Sequence, residues 1–162
     1  MRRTRPPSAA LAALLVLALL QPGPTLAQTS ADVAVVVHAD VPVDNLTLAE
    51  LRRIVLGDRE FWPGGVRLTL LMRAPVAHER DIVLQTVSKM SEAQFRQHWI
   101  AKVFRADTAA APRIVYSSDM ALDLVRQIPG ALTFVSAAAA NGGVKVVRID
   151  GKRPGEPGYP LR

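Results

Sequence analysis

Leu46–Arg73 reads LTLAELRRIVLGDREFWPGGVRLTLLMR. Thr47 and Glu50 stand in the S/T-x-x-E spacing of a capping box, in which a hydroxyl and a carboxylate satisfy free N–H groups at a helix start. Leu46 and Leu51 occupy the flanking positions of a hydrophobic staple. Leu48, Leu51, Ile54 and Val55 fall on one side of the helix so begun, with Glu50 and Arg53 opposite. Gly57 ends it, because a residue without Cβ enters the left-handed conformation freely. Trp62-Pro63-Gly64-Gly65 is a turn, and Val66–Met72 is an apolar strand that delivers Arg73 into a loop before the next helix. A strand end, a guanidinium and a helix N-terminus in one place suit an anion.

Working outward, Val33–His38 is a β-branched apolar run, expected to be a buried strand of parallel character. Asp40-Val41-Pro42 turns the chain into the capped helix. Beyond Arg73, a helix is expected over Glu79–Lys89, with Ile82, Val83, Thr86, Val87 and Met90 inward. Ser91 and Gln94 form a second capping box, opening a helix to about Arg105 that buries Phe95, Trp99, Ile100 and Val103. Arg113–Tyr116 is a short strand. Ser117 or Ser118 caps a helix with Ala121, Leu124, Val125 and Ile128 inside, stopped by Pro129-Gly130. Ala131–Val135 and Val144–Ile149 complete the strands, joined by a linker over Ala137–Gly143. The tail from Gly151, rich in Pro and Gly, reads as extended. The order β-α-β-α-α-β-α-β-β predicts an α/β fold, a parallel or mixed sheet flanked by helices.

Residues 1–27 read as a signal peptide: Arg2, Arg3 and Arg5, then the apolar Ala9–Leu20, then the small-residue site Thr25-Leu26-Ala27. The apolar run is short for a membrane span and meets Pro22, Gly23 and Pro24. The expected product is one exported α/β domain over 28–162, periplasmic or secreted, with no membrane attachment after cleavage. Lys and Arg then fall from 20 to 17 against 14 acidic residues, so the formal charge of +6 becomes +3. The basic residues are scattered and aromatics few, which argues against nucleic acid. With no cysteine, the domain must be stable through its core alone.

Several phrases together resemble the phosphate-transport substrate-binding proteins, type 2 periplasmic binding proteins that feed ABC importers. Asn45–Gly57 with Trp62 and Gly65 is similar to that family's "nLtleqLrdIFlGkitnW…G". Ile128–Val135 (IPGALTFV) is similar to "tPGaIGYv", and Val144–Arg162 (VKVVRIDGKRPGEPGYPLR) to "vkvlkiDG…P…YPlsR". The resemblance implies a single lobe of that fold, a small phosphate-like oxyanion as ligand, and an ABC permease or another exported protein as partner. It departs from the family in two ways. Ala77, His78 and Glu79 stand where the Ser-Gly-Thr turn would hold phosphate, and the chain has residues for only one of two lobes.

Candidate ligand-binding residues are Arg73, His78, Glu79 and Arg80 around that turn, His38 at the first strand's end, and Ser117 at a helix start. Glu79 can instead favour the helix dipole and pair with Arg73 or Arg80, and His38 and Ser117 read equally as a strand end and a cap. His78 and His98 lack metal-ligand spacing, so no metal or cofactor is implied. Trp62 lines a cleft or lids the core, and Arg59, Glu60 and Arg67 read as solvated charges. No nucleophile elbow, phosphate-cradling loop or paired carboxylates occur, so the expectation is a binding protein and not an enzyme. The alternative is an interaction module that keeps the scaffold and pairs with a partner or with itself.

Overall fold

A computed structural model describes residues 32–108, 110–140 and 142–162; the expected signal peptide and the N-terminal Gln28–Ala31 lie outside the described residues. The strands are β1 (Val33–Val37), β2 (Asn45–Leu46), β3 (Thr69–Arg73), β4 (Arg113–Val115), β5 (Ala131–Ser136) and β6 (Lys145–Ile149). The α-helices are α1 (Leu48–Val55), α2 (His78–Ile82), α3 (Glu92–Phe104) and α4 (Ser118–Gln127). One mixed sheet has the order β2-β6-β1-β5-β3-β4. Strands β3, β4 and β5 run parallel, as do β2 and β6, whereas β1 is antiparallel to both its neighbours.

Side chains alternate across a strand, so β1 feeds two cores. Val33, Val35 and Val37 pack with α1, the helical run after β3, and α3, through Leu51, Ile54, Val83, Phe95 and Trp99. Ala34 and Val36 pack with Leu71, Val115 and the α4 residues Ala121, Leu122 and Val125. Helices therefore cover both faces of the sheet. That explains why β1 is apolar throughout although it is not parallel: burial on both faces, not strand direction, makes the run continuous.

Both capping boxes form. Thr47 Oγ1 accepts from Glu50 N, and Glu50 Oε2 accepts from Thr47 N at 2.8 Å. Ser91 and Gln94 make the reciprocal pair at the start of α3. Gly57 follows α1 at φ 72°, and a Cβ there would lie 2.5 Å from Trp99 Cη2. The end of α1 is thus in contact with α3.

That contact also corrects the expected inner face of α3. Phe95 and Trp99 are buried, but Ile100 and Val103 are 55% and 41% exposed. Lys102 turns inward instead, donating from Nζ to Gly57 O at 2.8 Å and to Asp58 Oδ1 at 2.6 Å. A cation at the carbonyl end of α1 is favoured by the helix dipole, and it rolls the two aliphatic residues outward.

Other departures have local causes. Helix α2 widens into a π-helical segment over Val83–Ser88, so Leu84 joins Val83 and Val87 inside. Strand β3 begins at Thr69, because Val66–Leu68 belong to a loop in which Arg67 bridges Phe61. The two-residue β2 was not expected. The C-terminal tail is part of the core: Tyr159 and Leu161 are buried, Tyr159 Oη donates to Val33 O at 2.7 Å, and Val33 N donates to Leu161 O. Among the described residues no helix is long and apolar enough to cross a membrane.

Candidate functional site

The carboxyl ends of β3, β4 and β5 share one edge of the sheet, since these strands are parallel and in register. Arg73 ends β3 opposite Val115, and Ala74 N donates to Val115 O at 2.9 Å. Ser117, two residues past β4, caps α4 by accepting from Met120 N at 3.0 Å. Open α/β sheets bind ligands at such an edge.

The Arg73 side chain is 11% exposed, and its Nε lies 3.5 Å from Oε2 of Glu79, itself 12% exposed. Nε and Nη1 of Arg73 are buried and make no hydrogen bond among the described residues. A guanidinium in that state is costly, because N–H groups withdrawn from water without an acceptor lose their solvation uncompensated. The ion pair with Glu79 balances the charge without filling the donors.

Arg80 holds this arrangement from behind. Its guanidinium is buried, donating from Nε to Glu92 Oε2 at 2.7 Å and from Nη2 to Glu92 Oε1 at 2.9 Å. Nη1 donates to the Arg73 carbonyl at 2.9 Å, and the group lies 5.3 Å from the Phe95 ring centroid. With these partners Arg80 has a positioning role: it ties the backbone of Arg73 to α3, and the structure gives it no open donor face. The pairing left open by the sequence is therefore Arg73 with Glu79 and Arg80 with Glu92.

Between Arg73 and α2, Val76 is 96% exposed with φ 65°. A β-branched residue in the left-handed region is strained. Ala77 provides no side-chain cap to α2, so the turn lacks both the hydroxyl and the glycine that a relaxed anion-holding loop would have. His78 opens α2 and is exposed.

His38 does not join this edge. Its N donates to Ala131 O at the start of β5, and its Nδ1 accepts from Asp40 N at 3.1 Å. Because β1 is antiparallel to β5, its carboxyl end lies where β3 and β5 begin, across the sheet from Arg73. The resemblance to type 2 binding proteins made His38, at the end of the first strand, a candidate ligand residue; the antiparallel β1 puts it at the other end of the strands from Arg73. Among the described residues no group of three metal-ligating side chains occurs. His98 Nε2 lies 2.9 Å from Leu56 O, and Trp62 is a core residue that donates from Nε1 to Gly130 O at 2.8 Å.

Two residues at the Arg73 edge were missed from sequence. Tyr116, 75% exposed, directly follows β4, and Ser136 ends β5. Each carries the same signal as Arg73, a polar side chain at the end of a parallel strand.

No family model matches the sequence, and no curated protein matches it. Solved structures do share its fold. A protein of Clostridium perfringens assigned as a phosphate ABC transporter substrate-binding protein, solved with phosphate bound, superposes with TM-score 0.62 at 19% identity, over 76% of this chain and 46% of that one. An ABC-type phosphate transport receptor from Vibrio cholerae gives 0.61 at 21% identity, over 76% and 48%. PstS from Borrelia burgdorferi gives 0.60 at 13%, over 76% and 49%. The chain spans about half the length of these structures. At such identities the likeness is one of fold: this chain has the architecture of a single lobe of the phosphate-binding proteins.

Proposed function

We propose that the chain is an exported, single-lobe binding protein that takes a small oxyanion at Arg73, as an accessory to an importer. The observation that carries this reading is the pair of buried, unbonded donors on Arg73 at the carboxyl ends of three parallel strands. Nε and Nη1 lie on opposite sides of the guanidinium and share no fork, so a phosphate-like group would engage one of them together with Nη2 once Glu79 is displaced. His78, at the start of α2, and Ser117, at the start of α4, flank the place it would occupy. Glu79 is an internal counter-ion that the ligand must displace, so binding is weak. The likeness in fold to proteins whose names specify phosphate supports the ligand class. Isothermal calorimetry with inorganic phosphate tests the proposal: wild type binds, and Arg73→Ala loses at least about tenfold in affinity. Absence of heat with phosphate, sulfate and small carboxylates would overturn it.

One observation favours the second reading, an interaction module. Ile100, Val103, Phe104 and Ile114 are all substantially exposed, Phe104 at 90%, and they line one apolar hollow between α3 and the edge strand β4. Exposed apolar patches of this kind mark contact surfaces. Sedimentation at rising concentration, alone and with candidate exported partners, tests it.

A further inference from the structure

A second hollow lies at the opposite edge of the sheet, where β3 and β4 begin. It has a volume of about 300 Å³ and is lined by Arg59, Arg67 and Arg113 with the single carboxylate Glu60, and by Leu70 and Trp99. We infer that this hollow is a ligand site distinct from Arg73, and that it takes a compact organic anion carrying two negative charges on an apolar body.

Isolated exposed arginines are common and usually mean nothing. Here three line one concavity, and the backbone of each is fixed. Arg59 donates from Nε to Phe61 O at 3.2 Å and lies 5.6 Å from the Trp62 ring centroid, so its guanidinium is held in place. Arg67 bridges Phe61, and its carbonyl packs so closely on Gly130 that a Cβ there would lie 2.2 Å away. Arg113 begins β4, in register with Leu71 of β3. Arg67 and Arg113 make no ion pair or side-chain hydrogen bond among the described residues. Arg59 has one ion-pair partner among the described residues, Glu50 at 4.0 Å.

Charge and surface then set the ligand. Arg59 pairs with Glu50, which leaves Arg67 and Arg113 as two guanidiniums without an ion-pair partner among the described residues, one for each charged group of a dianion; their forks suit carboxylate or phosphate groups alike. Leu70 and Trp99 supply an apolar wall, the usual composition of a small-molecule site with few polar fixings. Trp99 is 93% buried, so that wall is fixed in the core.

The two tryptophans of the chain give the readout, since Trp99 lines the hollow and Trp62 lies beneath Arg59. The full mature chain is titrated with benzene-1,3-dicarboxylate, benzoate or inorganic phosphate at fixed ionic strength, following tryptophan fluorescence. The dicarboxylate should saturate the signal at least about tenfold more tightly than benzoate. The double variant Arg67→Ala/Arg113→Ala, both positions exposed, should weaken it by at least about tenfold, with circular dichroism checking the fold. Glu60→Gln should tighten it, and Arg73→Ala should leave it unchanged. The inference is overturned if the dicarboxylate fails to bind or binds no tighter than benzoate. It is equally overturned if the double variant binds like wild type, or if Arg73→Ala abolishes the signal. Phosphate binding lost only in Arg73→Ala belongs to the other edge and bears on the proposed function alone.

Discussion

Arg73 Nε and Glu79 Oε2 lie 3.5 Å apart, with 11% and 12% of their side chains exposed, yet neither Nε nor Nη1 donates a hydrogen bond. The pair neutralises charge while leaving those buried donors without an acceptor, and in the proposed function Glu79 and an oxyanion would compete for one guanidinium. Glu79→Gln removes the competitor. It should tighten phosphate by about tenfold, the order of one charged contact in a partly buried site. It should also destabilise the free protein by about 1–3 kcal/mol, since a guanidinium loses its counter-ion. Phosphate should then raise the melting temperature of the variant more than that of wild type. Weaker binding by the variant would mean that Glu79 supports the site.

The loop beside that pair has its own test. Val76 has φ 65° and is 96% exposed, so it holds a left-handed conformation with no packing in return. Such a conformation costs an ordinary residue about 1–2 kcal/mol, offset in part by the greater chain entropy of glycine. Val76→Gly should therefore stabilise the protein by about 0.5–1 kcal/mol in urea denaturation, against the usual direction of a change to glycine. A loss of stability would show that the strain is balanced by contacts of the valine.

Arg80 and Glu92 give a pH dependence with a definite sign. The hydrogen bonds from Arg80, with its charge, hold the Glu92 carboxyl below its ordinary 4.5, against partial desolvation. A carboxyl lowered in the folded state adds stability above its unfolded value, and that stability is lost as pH falls through the folded value. Glu92 is 34% exposed while Arg80 is 5% exposed, so solvent screens the pair and the effect lies between those of surface and buried pairs. Glu92→Gln should cost about 2 kcal/mol at neutral pH. The stability curves of wild type and variant should converge in acid below 4.5. Parallel curves would show that the carboxylate charge contributes nothing.

How far the sequence could be read depended on how local the cause was. Thr47 with Glu50 and Ser91 with Gln94 announce helix starts within four residues, and both boxes form as written. The position of Arg73 at a strand end before a helix was legible because a strand, a basic residue and a loop follow one another along the chain. The direction of β1 was not, since Val33–Val37 is apolar on both faces whichever way its neighbours run, so the separation of His38 from Arg73 could not be read. The outward roll of Ile100 and Val103 depends on Lys102 reaching Gly57 O and Asp58 Oδ1, 45 and 44 residues away in the chain. The hollow lined by Arg59, Arg67 and Arg113 was invisible for the same reason: Arg113 meets the others only through the β3–β4 pairing.

That roll leaves Phe104 90% exposed at the end of α3, beside a hollow of about 550 Å³ shared with Ile100, Val103 and Ile114. A side chain this exposed contributes almost nothing to folding through burial, so Phe104→Ser should change stability by less than about 0.5 kcal/mol. Its effect on the surface should be larger. Native wild type should enhance the fluorescence of anilinonaphthalene sulfonate, a dye that reports accessible apolar surface, and Phe104→Ser should abolish most of that enhancement at unchanged melting temperature. Arg96 lines the same hollow and matches the dye's sulfonate, so Arg96→Ala should weaken dye binding without moving the emission maximum. A dye signal that survives Phe104→Ser would remove the apolar face from consideration as a contact surface. A fall in melting temperature of several degrees would show that the phenyl ring packs in solution.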